Sequence, residues 1–80
     1  MLRRCYEDGL AARASLAGRV ATRFVVERDG TVSSVTDAGS TLPDPNVLAC
    51  IFTAFRGMRF GDPRGGKVTV VYPIQFNPGD

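Results

Sequence analysis

The most regular stretch of the chain is residues 67–76. Val68, Val70, Tyr72, Ile74 and Phe76 alternate there with Lys67, Thr69, Val71, Pro73 and Gln75. A period of two belongs to a strand with one buried face, and β-branched and aromatic residues suit a pleated surface. Pro73 has no N–H to donate, which bars the segment from a central place and predicts an edge strand with one open side. Residues 1–14 carry a different period. Leu2, Tyr6 and Leu10 recur every fourth position with Cys5 on the same side, which predicts a helix. Ala11, Ala12 and Ala14 favour that helix, and Gly9 within it marks a close packing contact. Arg3, Arg4, Glu7, Asp8 and Arg13 fall on its solvated side.

After Gly18, residues 19–28 alternate again, with Val20, Thr22, Phe24 and Val26 on one face and Ala21, Arg23, Val25 and Glu27 on the other. Asp29-Gly30 is a strong hairpin signal, and residues 31–37 return as a second strand. The step from Val32 to Val35 breaks strict alternation and predicts a bulge, while Ser33, Ser34 and Thr36 make this strand polar, as suits a sheet edge. Asp44-Pro45 reads as an N-cap followed by a proline in the first helical position. A second helix over 45–56 follows, striped by Val47, Leu48, Ile51, Phe52 and Phe55, with Cys50 beside the stripe. Gly57 is expected to end it as a left-handed cap, Met58 to fold back on Phe52, and Phe60 to plug the bottom of the core.

The expected fold is therefore α+β, with topology α-β-β-α-β. Each helix has one apolar stripe, so both pack on one face of a three-stranded antiparallel sheet. The first strand is apolar on both faces and takes the centre, so the strand order is 2-1-3.

Eighty residues fit one domain, 1–80, with a core small enough to profit from a staple. The balance of 44% hydrophobic and 22% charged residues is that of an ordinary globular domain, and a net charge of +2 does not by itself call for nucleic acid or an anionic membrane. No apolar run is long enough to span a bilayer, and the N-terminus lacks the apolar core of a signal peptide. Either a cytosolic protein or a piece of a longer chain is then expected, and the opening almost directly on a helical pattern favours the piece. Cys5 and Cys50 form no CxxC pair; two buried thiols and one disulfide are both compatible with them at this point.

With no histidine, Ser-His-Asp and Cys-His arrangements and histidine metal ligation are impossible. The acids Glu7, Asp8, Glu27, Asp29, Asp37, Asp44, Asp62 and Asp80 lie scattered in turns, at a cap or on a helix exterior, and no two are spaced as an acid–base pair. No catalytic residue, metal site or cofactor is expected. Gly61-Asp62-Pro63-Arg64-Gly65-Gly66-Lys67 matches the GxxxxGK spacing of a phosphate loop, but Val68 stands where Ser or Thr is needed. A helix precedes the stretch and a strand follows it, the reverse of what phosphate binding needs. Eight of the ten basic residues, Arg3, Arg4, Arg13, Arg19, Arg23, Arg59, Arg64 and Lys67, raise nucleic-acid binding. A sheet that stacks bases, however, needs exposed aromatics, and Phe24, Tyr72 and Phe76 have inward parity.

One set of residues resembles a known family. It comprises Cys5-Tyr6-Glu7, Gly18-Arg19-Val20 leading to Phe24, Asp29-Gly30-Thr31-Val32, Ser40-Thr41-Leu42, Cys50-Ile51, Phe60, Gly65-Gly66 and 70–76. Their order and spacing, over essentially the whole chain, are similar to the AgmX/PglI C-terminal domain, a group within the TonB C-terminal-like superfamily. Gly61 departs from it, since proline usually follows this phenylalanine in the family. The resemblance implies a non-enzymatic periplasmic module at the end of an inner-membrane-anchored protein, serving gliding motility or energy-coupled transport. Its partner would be a segment of an outer-membrane or periplasmic protein added as a strand along the third strand. The same resemblance implies a Cys5–Cys50 disulfide, which the periplasm permits. Lys67, Thr69, Val71, Pro73 and Gln75 are the expected partner-binding residues, with Thr69, Val71 and Gln75 offering backbone groups. The side chains of Tyr72, Ile74 and Phe76 are expected to be core. Self-association through the same edge is the alternative, with no nucleic acid and no direct membrane insertion expected.

Overall fold

The structure, a computed structural model, describes residues 2–61 and 65–79. Its elements are helix α1 (Leu2–Ala12), strand β1 (Gly18–Val26), strand β2 (Val32–Asp37), helix α2 (Pro45–Arg56) and strand β3 (Val68–Phe76). The sheet has the expected order β2-β1-β3, and both pairs are antiparallel. Both helices cover the face that carries Val20, Thr22, Phe24 and Val26, all buried.

The hairpin forms because Asp29 organises its turn. Its Oδ1 accepts from the Thr31 N–H at 3.0 Å and from the Thr31 hydroxyl at 2.6 Å, while Gly30 takes φ 86°. A Cβ on Gly30 would stand 2.1 Å from the Phe60 carbonyl oxygen, so only glycine fits. The predicted bulge is present: Val25 faces Ser34 but Val26 faces Val32, which leaves Ser33 as the extra residue of β2. Asp44 caps α2, accepting from the Asn46 and Val47 N–H groups at 3.0 and 3.2 Å, with Pro45 next.

The core is a continuous cluster from Cys5 and Tyr6 through Val20, Phe24, Val47, Ile51 and Phe55 to Phe76. Phe24 stacks on Phe55 at a centroid distance of 4.9 Å, and Tyr6 on Phe76 at 4.6 Å. Leu16 and Leu42 are fully part of it, although neither belongs to a periodic segment. Leu16 accounts for the early end of α1, which stops at Ala12 instead of residue 14. The Leu16 N–H bonds back to the Arg13 carbonyl at 3.1 Å in a turn that drives its side chain into the core, and its own carbonyl accepts from the Tyr6 hydroxyl.

Three sequence expectations are corrected. Gly57 is not left-handed: its φ is −88°, and its N–H donates to the Thr53 and Ala54 carbonyls, so α2 ends in a right-handed turn. Phe60 does not plug the core. Its N–H is tied to the Gly30 carbonyl at 2.9 Å, and its ring lies over Phe24 at 5.5 Å with 40% of the residue exposed. Tyr72 has inward parity but is 50% exposed, because α2 lies mainly over β1 and β2 and reaches this part of β3 only through Phe55, whose ring centroid is 6.0 Å from that of Tyr72.

Candidate functional site

β3 is an edge strand of nine residues whose pairing with β1 runs without a shift from Gly18–Phe76 to Val26–Val68. The direction of its backbone groups follows from the other side of β1. The Ala38 N–H donates to the Ala21 carbonyl at 2.8 Å, and the Glu27 N–H to the Thr31 carbonyl at 2.8 Å. Odd-numbered β1 residues therefore bond toward β2. In a strand the N–H and C=O of one residue share a side and successive residues alternate, so Val20, Thr22, Phe24 and Val26 bond toward β3. Their partners are Ile74, Tyr72, Val70 and Val68. Thr69, Val71, Pro73 and Gln75 consequently turn their backbone groups away from the sheet, and the missing N–H of Pro73 falls on the outer side, where the β1–β3 ladder loses nothing.

The other edge is less open. β2 has six residues, and where it begins the chain after α2 crosses it: Thr31 pairs with Arg59, and Phe60 bonds Gly30. At its far end Asp37 Oδ1 accepts from the Gly39 and Ser40 N–H groups at 3.0 and 2.8 Å. Those bonds, led by Ser40, hold the Asp37 carboxyl below the usual aspartate range, and the Thr31 bonds do the same for Asp29.

The sheet face away from the helices carries Arg19, Arg23, Val25 and Glu27 of β1, with Thr69, Val71, Pro73 and Gln75 of β3. Val71 is 53% exposed there. Arg19 donates through Nε and Nη2 to the Gly39 carbonyl. Lys67 does not lie in the strand. It stands before Val68 with its ammonium 3.7 Å from the Glu27 carboxylate, which also accepts from the Ser33 hydroxyl. The structure thus gathers four of the five expected partner-binding residues on one edge and sets Lys67 at its start, engaged with its own sheet.

The fold as a whole is similar to that of a solved structure. The chain aligns over 99% of its length with 78% of the Helicobacter pylori TonB C-terminal domain (residues 179–285), with a TM-score of 0.61 and 17% identity. The fold is that of a TonB C-terminal domain. No family model and no curated protein matches the chain.

Within this TonB-like fold, Cys5 on α1 and Cys50 on α2 are joined: their sulfurs are 2.05 Å apart and their Cα atoms 5.7 Å apart. Among the described residues no three His, Cys, Asp or Glu side chains cluster to hold a metal, and no helix is long and apolar enough to cross a membrane. Asp62, Pro63 and Arg64 of the phosphate-loop-like stretch lie outside the described residues; Gly65 and Gly66 lead into β3, so no helix N-terminus follows them. The open sheet face bears no aromatic side chain among the described residues. Phe24 and Phe76 are buried, and Tyr72 lies on the helix side.

What sequence reasoning missed is the apolar surface on that helix side. Val68, Tyr72 and Phe60 are 37%, 50% and 40% exposed. A separate groove of about 430 Å³ lies farther along, between α1 and the C-terminal end of β3. The alternation pattern assigns these side chains an inward direction; whether a helix covers them depends on where α2 crosses the sheet.

Proposed function

We propose that the chain is a non-enzymatic protein-interaction domain that binds an extended segment of another protein by strand addition to β3. The observation that carries this reading is the outward set of backbone groups at Thr69, Val71 and Gln75 on an edge strand paired to β1 without a register shift. Main-chain bonds to such an edge supply affinity, and pockets for alternate side chains supply specificity. The resemblance of the residue set to the AgmX/PglI C-terminal domain, together with the TonB-like fold, supports the finer reading. On it, residues 1–80 form one domain of a longer inner-membrane-anchored protein, located in the periplasm and acting in gliding motility or energy-coupled transport. Its partner is a periplasmic segment of an outer-membrane or periplasmic protein.

Amide shifts and hydrogen exchange, followed by NMR as a capped β-forming nonapeptide is titrated in, test the mode of binding. Shifts along 67–76 are expected, with slowed exchange at Thr69, Val71 and Gln75 as their N–H groups gain partners. Changes confined to α1, with none at 67–76, would rule strand addition out.

A second reading has support from the exposed Val71 and Tyr72 on the same edge: two copies could pair β3 to β3. Molecular size measured across a concentration series separates the two, since a stable dimer that protects the β3 amides without peptide favours self-pairing.

A further inference from the structure

The groove beside β3 has a built shape and a fixed relation to the open edge. On α1, Cys5 and Gly9 face α2, through the disulfide and through Val47. Leu2, Tyr6 and Leu10, on the neighbouring stripe, turn instead toward β3, where they form one wall of the groove while Ile74 and Phe76 form the other. Tyr6 stacked on Phe76 closes the groove's inner end. At the rim Arg3 lies 3.7 Å from Glu7, so the rim charges answer one another and demand no charge of an occupant.

The edge determines what enters. In paired strands, directly opposed residues share a face and lie about 4.8 Å apart. A partner residue opposite Ile74 therefore projects to the helix side, beside Ile74 and toward Leu2 and Leu10. The next helix-side residue of the partner, two positions along, lies opposite Tyr72 and covers its exposed ring. Pro73 stands between these positions and offers the partner no N–H. The backbone ladder is thus weakest beside the groove, where a buried side chain can supply both affinity and register.

We propose that this groove receives one bulky uncharged side chain, aromatic or branched aliphatic, from the strand that adds to β3, and so sets that strand's register. The proposal rests on the strand-addition reading above. Its volume of about 430 Å³ lies within the range of ligand pockets, about 300–1,000 Å³.

The probes are two capped nonapeptides of alternating threonine and valine, identical except for phenylalanine or serine at one central valine-face position. Both are titrated into the oxidised protein with amide and methyl shifts recorded. The phenylalanine peptide is expected to bind about tenfold tighter or more, given the apolar area it buries. It alone should move the Leu2 and Leu10 methyls, and Leu10→Gln should narrow the difference between the peptides. Equal binding of both peptides along 68–76, with the Leu2 and Leu10 methyls unmoved, overturns the groove proposal and leaves strand addition standing. No shift at 68–76 with either peptide overturns strand addition and the groove proposal with it. Because the comparison is made between peptides on the unaltered protein, it does not depend on the folding of Leu10→Gln.

Discussion

At the scale of single residues, short polar side chains hold the turns and one proline marks the open edge. Pro73 is opposite Ala21 at a position where β1 sends no hydrogen bond, so its missing donor leaves the sheet intact and affects only what lies outside. Asp29 and Asp37 do comparable work in the loops, each accepting from the backbone just ahead of it. Bonds to the ionised form lower a carboxyl pKa, and both carboxyls are lowered. A group depressed in the folded state contributes stability above its unfolded pKa and loses it as pH falls through the folded value. Unfolding free energy is therefore expected to decline below about pH 4. Carboxyl carbon titration by NMR should show both midpoints under the ordinary aspartate value, and a midpoint at or above it for either residue would contradict the bonding described. Thr22 has no such role: its hydroxyl is buried in the core with no hydrogen-bond partner among the described residues, a local desolvation cost within the central strand.

At the scale of elements, α1 and α2 pack closely against one another. Gly9 lets the helices approach until a Cβ there would stand 2.5 Å from Val47 Cγ2 and 2.7 Å from Leu16 Cδ2. Helix propensity favours Gly9→Ala by about 1 kcal/mol. Overpacking costs about 1–3 kcal/mol, and here it acts on two buried side chains at once. The variant should be less stable in urea denaturation despite its better helix former, and a gain in stability would show that the helices separate freely. The same contact explains how α1 is aimed. With Cys5 and Gly9 turned to α2, the stripe of Leu2, Tyr6 and Leu10 is left for β3 and the groove.

At the scale of the whole molecule, a small core is braced across its two helices. The Cys5–Cys50 link has a sequence separation of 45 and closes most of the chain between the first helix and the second. In the chain-entropy model a loop of that length stabilises by about 4 kcal/mol, a large share of what a domain this size has. Reduction should lower the denaturation midpoint steeply, and alkylation of the unreduced protein should label no cysteine. Two labelled thiols in the mass spectrum would remove the brace from the account. Strand addition at β3 is compatible with this bracing, because the link lies on the helix layer and leaves the edge free.

The local patterns determined which elements exist. Period two at 68–76, Asp29-Gly30 between two alternating runs, and Asp44-Pro45 ahead of an apolar stripe each act through backbone geometry within a few residues, so they are legible in order along the chain. Pro73 and the polarity of β2 determined the strand order as well, since they leave β1 alone fit for the centre. The outward direction of Thr69, Val71 and Gln75 follows from the parity of Pro73 and was legible in the same way. Coverage was not legible. Tyr72 and Phe60 are apolar residues with core parity or core spacing, yet both stand half in solvent, because exposure depends on where α2 crosses the sheet and where the chain after it is tied to Gly30. Leu16 and Leu42, with no period around them, became core for the same reason: burial is a property of the packed layers. The groove between α1 and β3 belongs wholly to that category. Its walls come from opposite ends of the chain, and only the docking of α1 against α2 brings Leu2 and Leu10 to face Ile74 and Phe76.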